Sequence, residues 1–113
     1  MISHQLVGAP LGFDAILECH IEAHPKSINY WAGEDGLMIF ASDKYDIYYT
    51  EKGYSLDMHL KIKNLKKQDY GIYRCIVKNP LGETDGQITL YGKKIHFSPL
   101  LFLERKKNFF YLK

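Results

Sequence analysis

This sequence has little that would carry it through a membrane or let it do covalent chemistry. No run approaches the ~18 apolar residues needed to cross a bilayer as a helix, and near the C-terminal end the longest apolar stretch is Leu100-Leu101-Phe102-Leu103. A helical span is therefore not expected. The start, Met1 to Gly8, has neither a basic leader nor the ~7 to 15 residue greasy core of a secretory signal. The expectation is that the protein stays inside the cell or that the chain is a piece of something longer. Catalytic signatures are missing too. There is no Gly-x-Ser-x-Gly, no reactive cysteine with a placed histidine, and no glycine-rich loop opening a helix to cradle phosphate. No enzyme, cofactor or small-molecule substrate is expected. His20 and His24 are four apart, but on a strand and a turn that spacing does not put both on one face. No cysteine or carboxylate set completes a tetrahedral site, so no metal is expected either. Asn-x-Ser/Thr is absent, which excludes an N-linked sugar on this segment.

What is present fits one soluble domain. The chain has 113 residues, 46% hydrophobic and 25% charged, enough for a single core and too ordered in composition for wholesale disorder. Its net charge of +2 averages two unlike parts: residues 1–92 carry nine Lys/Arg against twelve Asp/Glu, and residues 93–113 carry six Lys/Arg against Glu104 alone. A mildly acidic body leaves no footprint for nucleic acid, which needs Lys and Arg gathered on one face. The basic tail is read as a solvated terminus, with contact to anionic lipid as the weaker rival.

Helical periodicity is weak, whereas alternation recurs in short pieces separated by Gly, Pro, Asn and Asp. Ala15, Leu17, Cys19 and Ile21 alternate with Asp14, Glu18, His20 and Glu22, which predicts one buried and one wet face. Ile28 to Trp31 reads as a second strand after a turn at Pro25-Lys26, and Glu34-Asp35-Gly36 is turn chemistry before the apolar Leu37 to Phe40. Tyr45 to Thr50 is a strand ended by Glu51-Lys52-Gly53. Met58, Leu60 and Ile62 alternate with His59, Lys61 and Lys63, and Tyr73, Cys75 and Val77 alternate with Arg74, Ile76 and Lys78. A final hairpin turns at Asn79-Pro80-Leu81-Gly82, with Ile88 and Leu90 facing inward after it. About seven strands with these spacings predict an all-β sandwich or barrel of antiparallel strands. The composition breaks after Gly92, so residues 1–92 are expected to form the domain and residues 93–113 a basic, non-globular tail.

Two cysteines stand 56 positions apart, each on the inward side of its own alternating segment. Facing cysteines in opposed sheets reach the separation a disulfide needs; the alternative is a pair of reduced core thiols that pack as small hydrophobes. Trp31, twelve residues after Cys19, tips the balance toward a bridge, because a strand of the opposite sheet would deliver a large ring onto it. Leu65, Asp69, Gly71, Tyr73 and Cys75 form Leu-x-x-x-Asp-x-Gly-x-Tyr-x-Cys. Tyr73 has the position of a tyrosine corner. Asp69 beside a core needs a paired cation, and Lys44 is its expected partner.

From Leu6 to Tyr91 these residues resemble the immunoglobulin superfamily. The short spacing from Trp31 to Asp69 leaves no room for the extra strand pair of variable domains, so the intermediate set, or I-set, matches best. Gly8-Ala9-Pro10, Leu17 to Ala23, Pro25 to Trp31 and Leu81 to Gly86 are similar to the third, membrane-proximal immunoglobulin domain of insect lachesin and its relatives. Those relatives are neuronal receptors for the defective-proboscis-extension-response proteins, akin to the vertebrate IgLON adhesion molecules. The resemblance implies a Greek-key, two-sheet sandwich with an inter-sheet Cys19–Cys75 disulfide, a framework of Trp31, Leu60, Ile62, Leu65 and Tyr73, and the Lys44–Asp69 salt bridge. It also implies a place on the outer cell surface, in cell adhesion and synapse organisation. Other immunoglobulin-superfamily surface proteins would be its partners, mainly through domains outside this chain. Residues 93–113 depart from that pattern, since they lack the polar spacer and ~10 to 20 residue hydrophobic end of a lipid-anchor signal. The rival reading is a cytosolic structural domain of the muscle-filament type, which needs no bridge. Tyr45, Tyr48, Tyr49 and Tyr54 crowd one region and are expected mainly to pack core and edge, with a contact surface as the alternative.

Overall fold

A computed structural model describes residues 3–94 and 108–112. The strands are β1 (Ser3–Ala9), β2 (Ala15–Ala23), β3 (Ile28–Gly33), β4 (Tyr45–Lys52), β5 (Ser55–Ile62), β6 (Gly71–Asn79), β7 (Gly82–Gly92) and β8 (Asn108–Leu112), with one 3-10 turn at Lys67–Asp69. They form two sheets, one in the order β1-β7-β6-β3 and the other β4-β5-β2-β8. The chain changes sheet between β1 and β2, β2 and β3, β3 and β4, β5 and β6, and β7 and β8. The pairings β2–β5, β4–β5, β3–β6 and β6–β7 are antiparallel.

Period-two patterning makes this arrangement. Along β2 the side chains at Ala15, Leu17, Cys19, Ile21 and Ala23 are buried while those between them are not, and β5 does the same with Met58, Leu60 and Ile62. These two rows face Trp31, Tyr73, Cys75, Val77, Ile88 and Leu90 of the other sheet to make one core. Each fully buried large side chain there stabilises the fold by roughly 1.5–3 kcal/mol relative to exposure. Two turn residues join β4 to β5, and Gly53, the first of them, has φ 61°; type II′ hairpins need positive φ at that place. Ile76 points outward yet is buried, because Tyr30 and Asp85 flank it across the ladder.

Three features go beyond the sequence reading. β1 shows no clean alternation but runs parallel to β7 over its whole length, with Val7 opposite Leu90. Leu37 to Phe40 does not extend the sheet: Met38 makes a single bridge to Ala32, and Leu37 and Phe40 are 70% and 71% exposed. Within the stretch expected to be a non-globular tail, Asn108–Leu112 forms β8, parallel to β2. The physical reason is local. Asn-Phe-Phe-Tyr-Leu has no Gly or Pro and is rich in strand-favouring aromatics, and β2 offers a backbone edge that β5 does not use. β7 ends at Gly92, and the remaining tail residues lie outside the described ones apart from Lys93 and Lys94.

Candidate functional site: the bridged core and the faces it holds

Cys19 on β2 and Cys75 on β6 are joined by a disulfide, with their Cα atoms 6.7 Å apart. Trp31 is directly opposite Cys75 in the β3–β6 ladder, and its side chain is wholly buried in the same core. Its indole Nε1 has no hydrogen-bond partner, so the ring acts there as an apolar block. Leu60, Ile62 and Leu65 are at most 1% exposed and line the opposite wall. The framework residues singled out in the sequence thus sit together around the bridge.

A polar knot closes the lower end. The Tyr73 hydroxyl donates to the backbone oxygen of Asp69 at 2.5 Å. Burial above all, then the neighbouring Tyr45 and Asp69, raises the Tyr73 phenol far above its ordinary value. The Lys44 Nζ lies 2.6 Å from Asp69 Oδ2 and donates to the Asn64 carbonyl at 3.0 Å. Asp69, only 7% exposed, also accepts the Lys66 backbone N–H at 2.8 Å. A carboxylate this enclosed is tolerable because both a cation and an amide meet it. Tyr70 adds a tie to β1, its hydroxyl donating to Ala9 O at 2.8 Å.

The outer face of the β4-β5-β2 sheet carries a second group that the sequence did not reveal. The His20 Nδ1 is 2.6 Å from Asp57 Oδ1, and its Nε2 is 3.5 Å from Glu22. The His59 ring stacks on Tyr48 with centroids 4.6 Å apart and lies 3.5 Å from Glu18. Apart from His20–Glu22 within β2, these pairs join residues of neighbouring strands, so strand register is the signal that would have exposed them, and no single segment contains it. His24 instead meets the edge of Tyr54 at 4.3 Å. Among the described residues no three His, Cys, Asp or Glu side chains are placed to hold a metal ion. The tyrosines divide: Tyr45 packs against the core, Tyr48 faces out over His59, Tyr54 caps the turn, and Tyr49 is half exposed, with burial raising its phenol.

The opposite outer face is crossed by an Arg74–Asp85 pair at 3.5 Å, and Lys78 sits 5.6 Å above the Tyr30 ring and 3.5 Å from Glu83. Lys78 is held in its charged form by Tyr30 first and by Glu83. Beside this face lies an open groove of about 710 Å³ lined by Leu37, Met38, Phe40, Tyr70 and Ile72 among others. Nothing in these groups sets a nucleophile against a base, and the arrangement is one of surfaces on a rigid frame.

Comparison with known proteins gives the same picture. The family description of the immunoglobulin I-set domain matches residues 3–91. Lachesin of Drosophila melanogaster is 32% identical over 95 residues, covering 82% of this chain and 26% of that protein. A chain in the crystal structure of Dpr2 Ig1-Ig2 in complex with DIP-Theta Ig1-Ig3 is 45% identical, with a TM-score of 0.73 over 78% of this chain and 30% of that one. Titin domain M7 is 26% identical, with a TM-score of 0.67 over 80% of this chain and 87% of that one. The chain spans about a quarter of the length of the lachesins it matches.

Proposed function

Because this chain belongs to the immunoglobulin I-set family, we propose that it is a non-enzymatic immunoglobulin module of a cell-surface recognition protein. Its place would be in neuronal adhesion and synapse organisation, on the extracellular side of the plasma membrane. The observation that carries this reading is the Cys19–Cys75 bridge set in a core that resembles, at 45% identity, a protein solved as an immunoglobulin-domain complex. Disulfides persist in oxidising compartments and are rare in the cytosol.

The role would be mechanical and adhesive. β1 and β7 run parallel, from Ser3 beside Gly86 to Ala9 beside Gly92, so these two strands begin at one end of the sandwich and finish at the other. Six residues of strand separate those levels by roughly 20 Å at ~3.3 Å per residue. β8, parallel to β2, brings the chain back to the level of Ala23, so the spacer role would rest on the stiffness of the bridged core, which would hold neighbouring domains in a fixed orientation. Partners would be other immunoglobulin-superfamily surface proteins, met mainly through domains outside this chain.

The titin likeness favours a second reading, a cytosolic filament module. Mass spectrometry of the native protein, alkylated with and without reductant, separates the two. The surface reading expects no free thiol before reduction and two after; two free thiols in the native protein would favour the filament module.

A further inference from the structure

β3 is the last strand of its sheet, and residues 37–40 double back beside it. Contact is made at one rung only, Met38 opposite Ala32. The two bonds of that rung run from the Gly33 N–H to the Leu37 oxygen at 3.0 Å and from the Ile39 N–H to the Trp31 oxygen at 2.8 Å. At such a rung of an antiparallel pair, the facing residue turns its own N–H and C=O away from the partner strand. The main-chain groups of Met38 therefore look outward, and no described residue pairs with them there. Ile39 turns in against the core, whereas Leu37, Met38 and Phe40 stay exposed.

A lone exposed apolar side chain needs no partner, but a contiguous group of them marks a contact site. Here three of four consecutive residues line the open groove of about 710 Å³, together with Tyr70 and Ile72. That volume falls within the roughly 300–1,000 Å³ of clefts that hold ligands. Charge narrows the choice of occupant. Glu34 and Asp35 line the same groove, and no Lys or Arg does. The Asp35 Oδ1 accepts the Leu37 N–H at 2.9 Å, which fixes the turn without neutralising the carboxylate, and among the described residues neither acid has a salt-bridge partner. Asp69, also in the lining, differs because Lys44 meets it. The uncompensated charge of the groove is negative.

We propose that the edge at residues 37–40 and the groove beside it dock an extended segment of another protein, one that carries large apolar residues with Lys or Arg next to them. The segment pairs its main chain with the outward groups of Met38, buries its apolar side chains against Leu37, Met38 and Phe40, and brings its cation to Glu34 and Asp35. Met38, unbranched and polarisable, adapts to more than one apolar shape. Unlike the spacer role, this contact belongs to the domain itself and does not depend on where the protein resides.

Nuclear magnetic resonance titration of the full chain tests it, with a synthetic peptide alternating valine and lysine as the probe and its valine–glutamate twin as the control. The basic peptide should shift the amides of residues 37–40 and 70–72, and should bind on the order of tenfold more tightly than the acidic one at low salt, with a smaller margin at high salt. Two further copies of the basic peptide are N-methylated, one on every valine and the other on every lysine. One of them loses the donor that meets Met38 and should bind on the order of tenfold more weakly than the other. In the Glu34→Lys/Asp35→Asn variant, asparagine keeps an acceptor for the Leu37 N–H, and the preference should swing to the acidic peptide with the fold intact. Failure of both unmethylated peptides to shift these amides overturns the proposal, as does an unaltered preference in the variant. Equal binding by the two methylated copies overturns the strand pairing. Concentration-dependent shifts of the same amides without peptide, together with a dimer in sedimentation, overturn a foreign segment in favour of a second copy.

Discussion

Tyr73 and Asp69 show how much one side chain holds when it is enclosed. Replacing Tyr73 with Phe removes the donor and leaves the Asp69 carbonyl buried without it, so we expect a loss of about 1–2 kcal/mol in urea unfolding with an unchanged slope. The same phenol makes stability depend on alkali. Its folded pKa is raised above the unfolded value near 10.0, so the native state holds the proton more tightly. That contribution is complete below about pH 10 and is lost as pH climbs toward the folded value. Ultraviolet titration should show one tyrosine ionising later than the exposed ones, and the Tyr73→Phe variant should have a flatter alkaline limb. Lys44→Met tests the charge partner: it strands a carboxylate that is 7% exposed. Thermal or urea denaturation should register a loss of about 1–3 kcal/mol, smaller than for a fully dry pair because Lys44 is partly wet.

Strands and turns carry the next level. Gly53 occupies positive φ at the β4–β5 turn, and a Cβ there would meet nothing within 4 Å. Gly53→Ala should therefore cost about 1 kcal/mol through backbone strain alone, visible as a lower denaturation midpoint with the strand pairing intact by nuclear magnetic resonance. This hairpin, with β2, β5 and β6, was legible in the sequence because one wet and one dry face print a period of two. So were Cys19, Trp31, Tyr73 and the Lys44–Asp69 pairing, which stand at spacings set by the sandwich itself. β1 and β8 were not legible. Each pairs parallel with a strand distant in sequence, and no local turn announces such a partner. The His20–Asp57 and Tyr48–His59 contacts were hidden for a related reason: they exist only once β2, β4 and β5 are locked in register, and a slip of one residue would turn every one of these side chains to the other face.

The whole molecule is two sheets fastened by one covalent link across a loop of 56 positions. In the chain-entropy treatment, closing such a loop stabilises the fold by roughly 4 kcal/mol, against about 5–15 kcal/mol for a domain of this kind. A Cys19→Ala/Cys75→Ala variant should keep the sandwich at low temperature, since twelve of its largest or best enclosed side chains remain beyond solvent in the parent and ten of those are untouched. Its melting temperature should fall by well over ten degrees, at roughly 4–8 °C per kcal/mol for a domain this small, as scanning calorimetry would measure. The parent in reductant should move toward the same value. One more consequence follows from the single tryptophan lying a ladder rung from Cys75. Disulfides quench nearby excited indoles by accepting an electron, so the intact protein should emit dimly and brighten when the bridge opens. The domain therefore contains its own optical gauge of oxidation, readable without a dye in any compartment where it is found.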